Sequence, residues 1–94
     1  MMSITRINQF KAAEGKETDL FEFLKSLTSY ITSSEGCLSY EVLQNSDEPS
    51  AFVIIEKWDA IDSHKKSVEN FPQEDMLAAM PLFGVAPSGN YYKN

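Results

Sequence analysis

The chain has 94 residues, one domain's worth, with 43% hydrophobic residues and a formal net charge of −6. That acidic balance, with no basic cluster, argues against nucleic-acid binding, which relies on Lys and Arg to neutralise phosphates. One cysteine, Cys37, excludes an internal disulfide; one Cys and one His are too few for a closed zinc site; and no run approaches membrane-spanning length.

The N-terminus carries no apolar signal segment and there is no Gly-rich dinucleotide turn. The expectation is therefore a cytoplasmic protein with no bound metal or flavin and no membrane contact. So short a chain buries a modest fraction of its surface alone, so help from a partner subunit is expected.

Ser3–Phe10 reads as a first strand, with Ile4, Ile7 and Phe10 as its apolar residues. Asn8 stands in its middle, although strands are depleted in Asn. Either it occupies an edge or solvent-facing position, or it aims a polar group into a cavity. After a turn over Lys11–Gly15, the pattern predicts a helix from about Lys16 to Thr32. Leu20, Phe23, Leu24, Leu27 and Ile31 form one apolar stripe. Glu14, Glu17 and Asp19 crowd its start, where the helix dipole favours negative charge. Ser33-Ser34-Glu35-Gly36 ends it, with Gly36 free to take positive φ.

Cys37–Gln44 is a second strand, with Leu38, Tyr40 and Val42 on one face and Cys37, Ser39, Glu41 and Leu43 on the other. Tyr40 either faces the core or lines a pocket. Cys37 has no His, Lys or Arg among its sequence neighbours to lower its pKa. The turn-rich loop Asn45–Ser50 leads into a hairpin partner, Ala51–Trp58. Asp59 is a candidate cap for the next helix, with Asp62 three residues on. Ile61, His64, Lys65 and Val68 share a face of that helix, which runs to Phe71. Pro72 breaks the chain. Gln73–Met80 is expected as a short helical piece, Leu82–Pro87 as a loop, and Ser88–Lys93 as a last strand through Tyr91 and Tyr92.

The order strand, helix, strand, strand, helix, strand predicts an α+β fold, the ferredoxin-like βαββαβ arrangement with an antiparallel sheet and both helices on one face. The third strand conflicts with that arrangement in a monomer. Phe52 and Ile54 are apolar on one face, Val53 and Ile55 on the other, and helices cover only one. Soluble proteins avoid leaving such a row exposed. A second copy laid sheet against sheet resolves the conflict, so a homodimer is expected, burying one of these two rows.

Three segments together resemble the antibiotic biosynthesis monooxygenase family of dimeric α+β-barrel proteins. EGCLSYEVLQ at 35–44 is similar to its second strand, FVIIEKW at 52–58 to its third, and HKKS at 64–67 to the opening of its second helix. The resemblance implies a cavity between sheet and helices, and oxidation of quinol-like aromatics by molecular oxygen with no metal or flavin. Some relatives degrade heme, and others act on small carbonyl compounds. Trp58 matches the family's third-strand tryptophan, His64 its second-helix histidine, and Asn8 a first-strand asparagine. The chain departs from the family where Glu69-Asn70 precede Phe71: many quinol-type members carry a histidine there. The heme-ligating histidine further along that helix is also missing.

The chemistry such residues suit is definite. A deprotonated quinol can itself reduce oxygen, given a dry pocket, a base and a donor for the developing oxyanion. His64 is the natural base, Trp58 an apolar wall with one N–H, and Asn8 a ligand for a substrate carbonyl or the oxyanion. Tyr40, Ile61 and Phe71 are expected on the substrate side of the pocket. Burial of His64 would lower its pKa, whereas a carboxylate such as Glu56 would raise it, and the sequence leaves that direction open. The expected function is a cofactor-independent monooxygenase acting on a small aromatic or quinol. The alternative is a non-enzymatic small-molecule-binding or interaction module on the same scaffold.

Overall fold

The computed structural model describes residues 3–93. Its elements run β1 (Ile4–Lys11), α1 (Glu17–Ser26), α2 (Thr28–Thr32), β2 (Cys37–Gln44), β3 (Ala51–Trp58), α3 (Ile61–Asn70), α4 (Gln73–Ala79), a short 3₁₀ turn at Met80–Leu82, and β4 (Ser88–Lys93). The four strands form one antiparallel sheet in the order β2-β3-β1-β4, the ferredoxin-like arrangement.

Strand pairing sorts the sheet into two faces. Arg6, Asn8 and Phe10 stand opposite Glu56, Ile54 and Phe52; Tyr40 and Val42 stand opposite Glu56 and Ile54; Tyr91 stands opposite Arg6. Because side chains alternate along a strand, these residues share the helix-covered face. Ile7, Val53, Ile55, Leu43 and Tyr92 fall on the other. Phe52 and Ile54 are therefore core at 1% and 2% exposure, and Val53 and Ile55 form the row that no helix covers.

The core fills one end of the covered face. Phe52 and Ile54 pack with Ala12, Leu20 and Leu24, and Phe10, Phe21, Phe23, Tyr40, Val42, Leu82 and Phe83 close around them. Phe21 stacks on Phe52 with ring centroids 5.6 Å apart. The other end of β3, at Glu56 and Trp58, is left to the cavity described below.

Three local expectations are corrected. The helix predicted over 16–32 is interrupted at Leu27. Ser26 Oγ donates to the Phe23 carbonyl and Thr28 Oγ1 to the Lys25 carbonyl, at 2.6 and 2.7 Å, drawing on carbonyls that the last turn would otherwise use. Asp59 does not cap α3, which Ala60 precedes with no side-chain cap; its Oδ1 instead accepts a hydrogen bond from Ser63 Oγ at 2.5 Å. The inward face of α3 is also rotated from the predicted one. His64 and Ser67 are buried, while Lys65 is exposed and Val68 is 57% exposed. Ser67 fixes that rotation: its hydroxyl meets Ser34 Oγ at 2.9 Å and its carbonyl accepts from Tyr30 at 2.6 Å.

Gly36 takes φ +88 in the turn between α2 and β2, as its sequence position predicts. A Cβ there would stand 2.5 Å from both Asp59 Oδ1 and Ser63 Oγ, so the glycine also lets α3 approach the turn.

Candidate functional site

A cavity of about 320 Å³ lies between the sheet and the helices. Phe10, Leu27, Ile31, Phe71 and Phe83 give it apolar walls; Arg6, Asn8, Glu56, Trp58 and His64 form a polar end. This combination of a mostly apolar lining with a few convergent polar groups is typical of small-molecule sites.

Sheet alternation assembles the polar end. Arg6 and Asn8 are two apart on β1, Glu56 and Trp58 two apart on β3, and pairing sets Arg6 against both Glu56 and Tyr91. The next turn of chain then brings His64 back over the strand end, edge-on to Trp58 at 5.5 Å and to Tyr91 at 5.3 Å.

Glu56 is the hub. It is 4% exposed, and each of its oxygens has a donor. Trp58 Nε1 donates to Oε1 at 2.8 Å and Asn8 Nδ2 to Oε2 at 3.3 Å. Burial raises its pKa, with the Trp58 hydrogen bond and the nearby Arg6 charge opposing. Asn8 in turn accepts from Arg6 Nε at 2.8 Å.

His64 Nδ1 lies 2.6 Å from the Tyr91 hydroxyl, and Nε2 lies 3.8 Å from Glu56 Oε1. Burial, and then the Arg6 charge, pull its pKa down to about 4, so the imidazole is neutral at pH 7. At 3.8 Å the Glu56 contact is longer than a hydrogen bond. The Tyr91 contact fits both neutral tautomers: Nδ1–H donating to the hydroxyl leaves Nε2 with a free lone pair, and the hydroxyl donating to Nδ1 leaves the ring proton on Nε2.

Four of the six residues singled out in the sequence, Asn8, Trp58, His64 and Phe71, line this cavity. Tyr40 and Ile61 do not. The Tyr40 hydroxyl donates to the Leu24 carbonyl at 2.6 Å, which ties its ring into the core, and its pKa is raised by burial and by Glu56. Ile61 opens α3 one turn before His64, at the helix end away from the cavity's apolar wall. Cys37 has its thiol pKa raised, by burial first and Glu56 second, which opposes a nucleophilic role.

Sequence reasoning left Arg6 and Tyr91 out of the site and gave Glu56 no part beyond its charge. Period-two alternation was the available signal for two of them, since Arg6 shares a strand face with Asn8, and Glu56 with Trp58. Tyr91 depended on the β1–β4 register. Among the described residues, no three His, Cys, Asp or Glu side chains converge as metal ligands, and no helix is long and apolar enough to cross a membrane.

Solved structures share this fold along nearly the whole chain. A protein from Shewanella oneidensis superposes with a TM-score of 0.87 at 24% identity, covering 99% of this chain and 91% of that one. A conserved protein from Methanosarcina mazei Go1 gives 0.86 at 20%, covering 98% and 92%. SnoaB, a cofactor-independent oxygenase from Streptomyces nogalater, gives 0.82 at 14%, covering 96% and 90%. At these identities the likeness establishes the fold alone. No curated protein matches the sequence. Residues 3–80 match the family profile described as antibiotic biosynthesis monooxygenase, and the chain belongs to that family.

Proposed function

We propose that the protein is a cofactor-independent monooxygenase that oxidises a small aromatic or quinol-type molecule in this cavity, with His64 as the base and Asn8 and Trp58 at the reacting end. The observation that carries the reading is a neutral, buried imidazole at the polar end of an otherwise apolar cavity. Family membership and the fold shared with a cofactor-independent oxygenase support it.

The chemistry asks little of the protein beyond placement. His64 takes a proton from an acidic hydroxyl or from the C–H beside it, and the resulting carbanion or phenolate reduces oxygen. One oxygen atom ends as a product carbonyl. The other leaves as water with two hydrogens from the substrate, which supplies all four electrons. In the tautomer whose ring proton sits on Nδ1 and is donated to the Tyr91 hydroxyl, Nε2 is free to take up the substrate's proton, and the imidazolium that forms has Glu56 Oε1 3.8 Å away to stabilise it. Apolar walls exclude water from the reduced intermediates.

A homodimer is part of this proposal. Ile7, Val53, Ile55, Leu43 and Tyr92 leave an uncovered apolar face on the sheet, with Leu43 43% and Tyr92 51% exposed. A second copy covering it would bury on the order of 1,600 Å² in total. We also place the protein in the cytoplasm, since Cys37 is a free thiol that suits a reducing compartment.

Binding without turnover is the second reading. It is favoured by the engagement of His64, whose Nδ1 is hydrogen-bonded to Tyr91 while Nε2 faces Glu56. Oxygen uptake with a panel of quinols and anthrone-type aromatics separates the two. The monooxygenase reading expects uptake that falls by about a hundredfold or more in His64→Gln. Uptake that survives this change would remove His64 from the chemistry. Tight binding with no uptake across the panel would favour the binding module.

A further inference from the structure

Arg6 brings a full positive charge to a cavity with mostly apolar walls. Its Nε donates to Asn8 Oδ1 at 2.8 Å, and its guanidinium lies 4.6 Å from the centroid of the Tyr91 ring. Among the described residues, no carboxylate stands within 4.0 Å of it and its terminal nitrogens make no hydrogen bond. Glu56, across the strand pair, feels the Arg6 charge but takes its hydrogen bonds from Trp58 and Asn8. The outer edge of the guanidinium, the part shaped to grip two oxygens at once, is left unmatched.

Gly89 makes room for this arrangement. It pairs with Asn8 across β1 and β4. A Cβ at this position would strike Asn8 Oδ1 and stand 2.6 Å from Arg6 Nη2 and 2.9 Å from Arg6 Cζ. Only Gly15 and Gly36 adopt positive φ among the described residues, so the backbone at 89 does not itself demand glycine. A larger residue would instead displace the Arg6 and Asn8 side chains from the positions they hold here.

We propose that Arg6 is the anion-receiving group of the cavity, that the ligand is an aromatic molecule carrying an acidic oxygen (a carboxylate or acidic phenol), and that Gly89 keeps the guanidinium seated. This rests on reading the cavity as a ligand site, and does not depend on turnover.

Calorimetric titration with 2-naphthoate and its neutral isostere 2-naphthamide tests the proposal on the intact protein. The acid should bind at least about tenfold more tightly than the amide, the scale of a charge-assisted hydrogen bond. Arg6→Gln should abolish that preference while leaving the amide's affinity within about twofold, and Arg6→Lys should restore part of it. Gly89→Ala should weaken naphthoate selectively, because the three atoms nearest its methyl group belong to the Arg6 and Asn8 side chains. Equal affinities in the unmodified protein, a preference that survives Arg6→Gln, or binding of neither compound would each overturn the proposal. Oxygen uptake, measured separately, tells the two readings apart. A preference for the acid without uptake rejects the oxygenase and leaves Arg6 in its role; uptake without the preference does the reverse.

Discussion

Acid should destabilise the protein through His64, and His64→Gln should remove that part of the loss. The imidazole is 8% exposed, and its pKa in the fold is about 4 against an ordinary 6.5. Because the folded value is the lower one, the fold favours the neutral ring. Its stabilising contribution is complete above pH 6.5 and is lost as pH falls towards 4. The full difference corresponds to about 3 kcal/mol, most of which is gone by pH 4.5. Glu56 works in the opposite sense, since its raised pKa lets the fold take up a proton before the unfolded chain does. A comparison of the two proteins is therefore needed to isolate the histidine. Urea unfolding at about pH 7.5 and pH 4.5, followed by the fluorescence of Trp58, the only tryptophan, provides it. Protein concentration must be fixed, because the stability of the proposed dimer depends on it. The unmodified protein should lose about 2–3 kcal/mol more than His64→Gln between the two conditions. The same loss in both proteins would refute the reasoning.

Val53→Lys with Ile55→Lys should turn a dimer into monomers or insoluble protein, since these are the half-buried residues on the face without helices; a stable monomer of the unmodified chain in sedimentation at micromolar concentration would defeat the dimer. Gly36→Ala should cost at least about 1–2 kcal/mol, for left-handed backbone strain alone, and its Cβ would in addition meet Asp59 and Ser63; a melting temperature unchanged by the substitution would contradict this. Tyr91→Phe removes the hydroxyl 2.6 Å from His64 Nδ1 and should lower stability at neutral pH by about 0.5–1.5 kcal/mol in urea unfolding. Phe52→Ala, at a core position 1% exposed, should cost about 3–5 kcal/mol, and a loss of less than about 1 kcal/mol would show that this end of the core is not packed as described.

The element order was legible because it depends on periodicity, a local property. Alternation in Cys37–Gln44 and the β-branched run of Phe52–Ile55 fall in strands, and the Leu20–Ile31 stripe faces inward, as the 3.6-residue repeat requires. What the pattern hid was local competition for hydrogen bonds: the hydroxyls of Ser26 and Thr28 interrupt at Leu27 a helix whose apolar spacing continues unbroken. The rotation of α3 was hidden for a similar reason. Ile61, His64 and Val68 are a valid stripe on a helical wheel, but contacts with Tyr30 and Ser34, over thirty residues away in sequence, turned Ser67 inward instead.

The site divides along the same line. Asn8, Trp58, His64 and Phe71 were identifiable by residue type, strand phase and family resemblance, and all four line the cavity. Tyr40 was ambiguous for want of a partner, and the Leu24 carbonyl supplied one in the core. No local pattern could bring Arg6, Glu56 and Tyr91 together, because they lie on three strands that meet only through sheet register. The direction of the His64 pKa shift belongs to the same class. Sequence names burial and Glu56 as the competing causes, but burial wins in the fold with the Arg6 charge adding to it, and both depend on the folded chain.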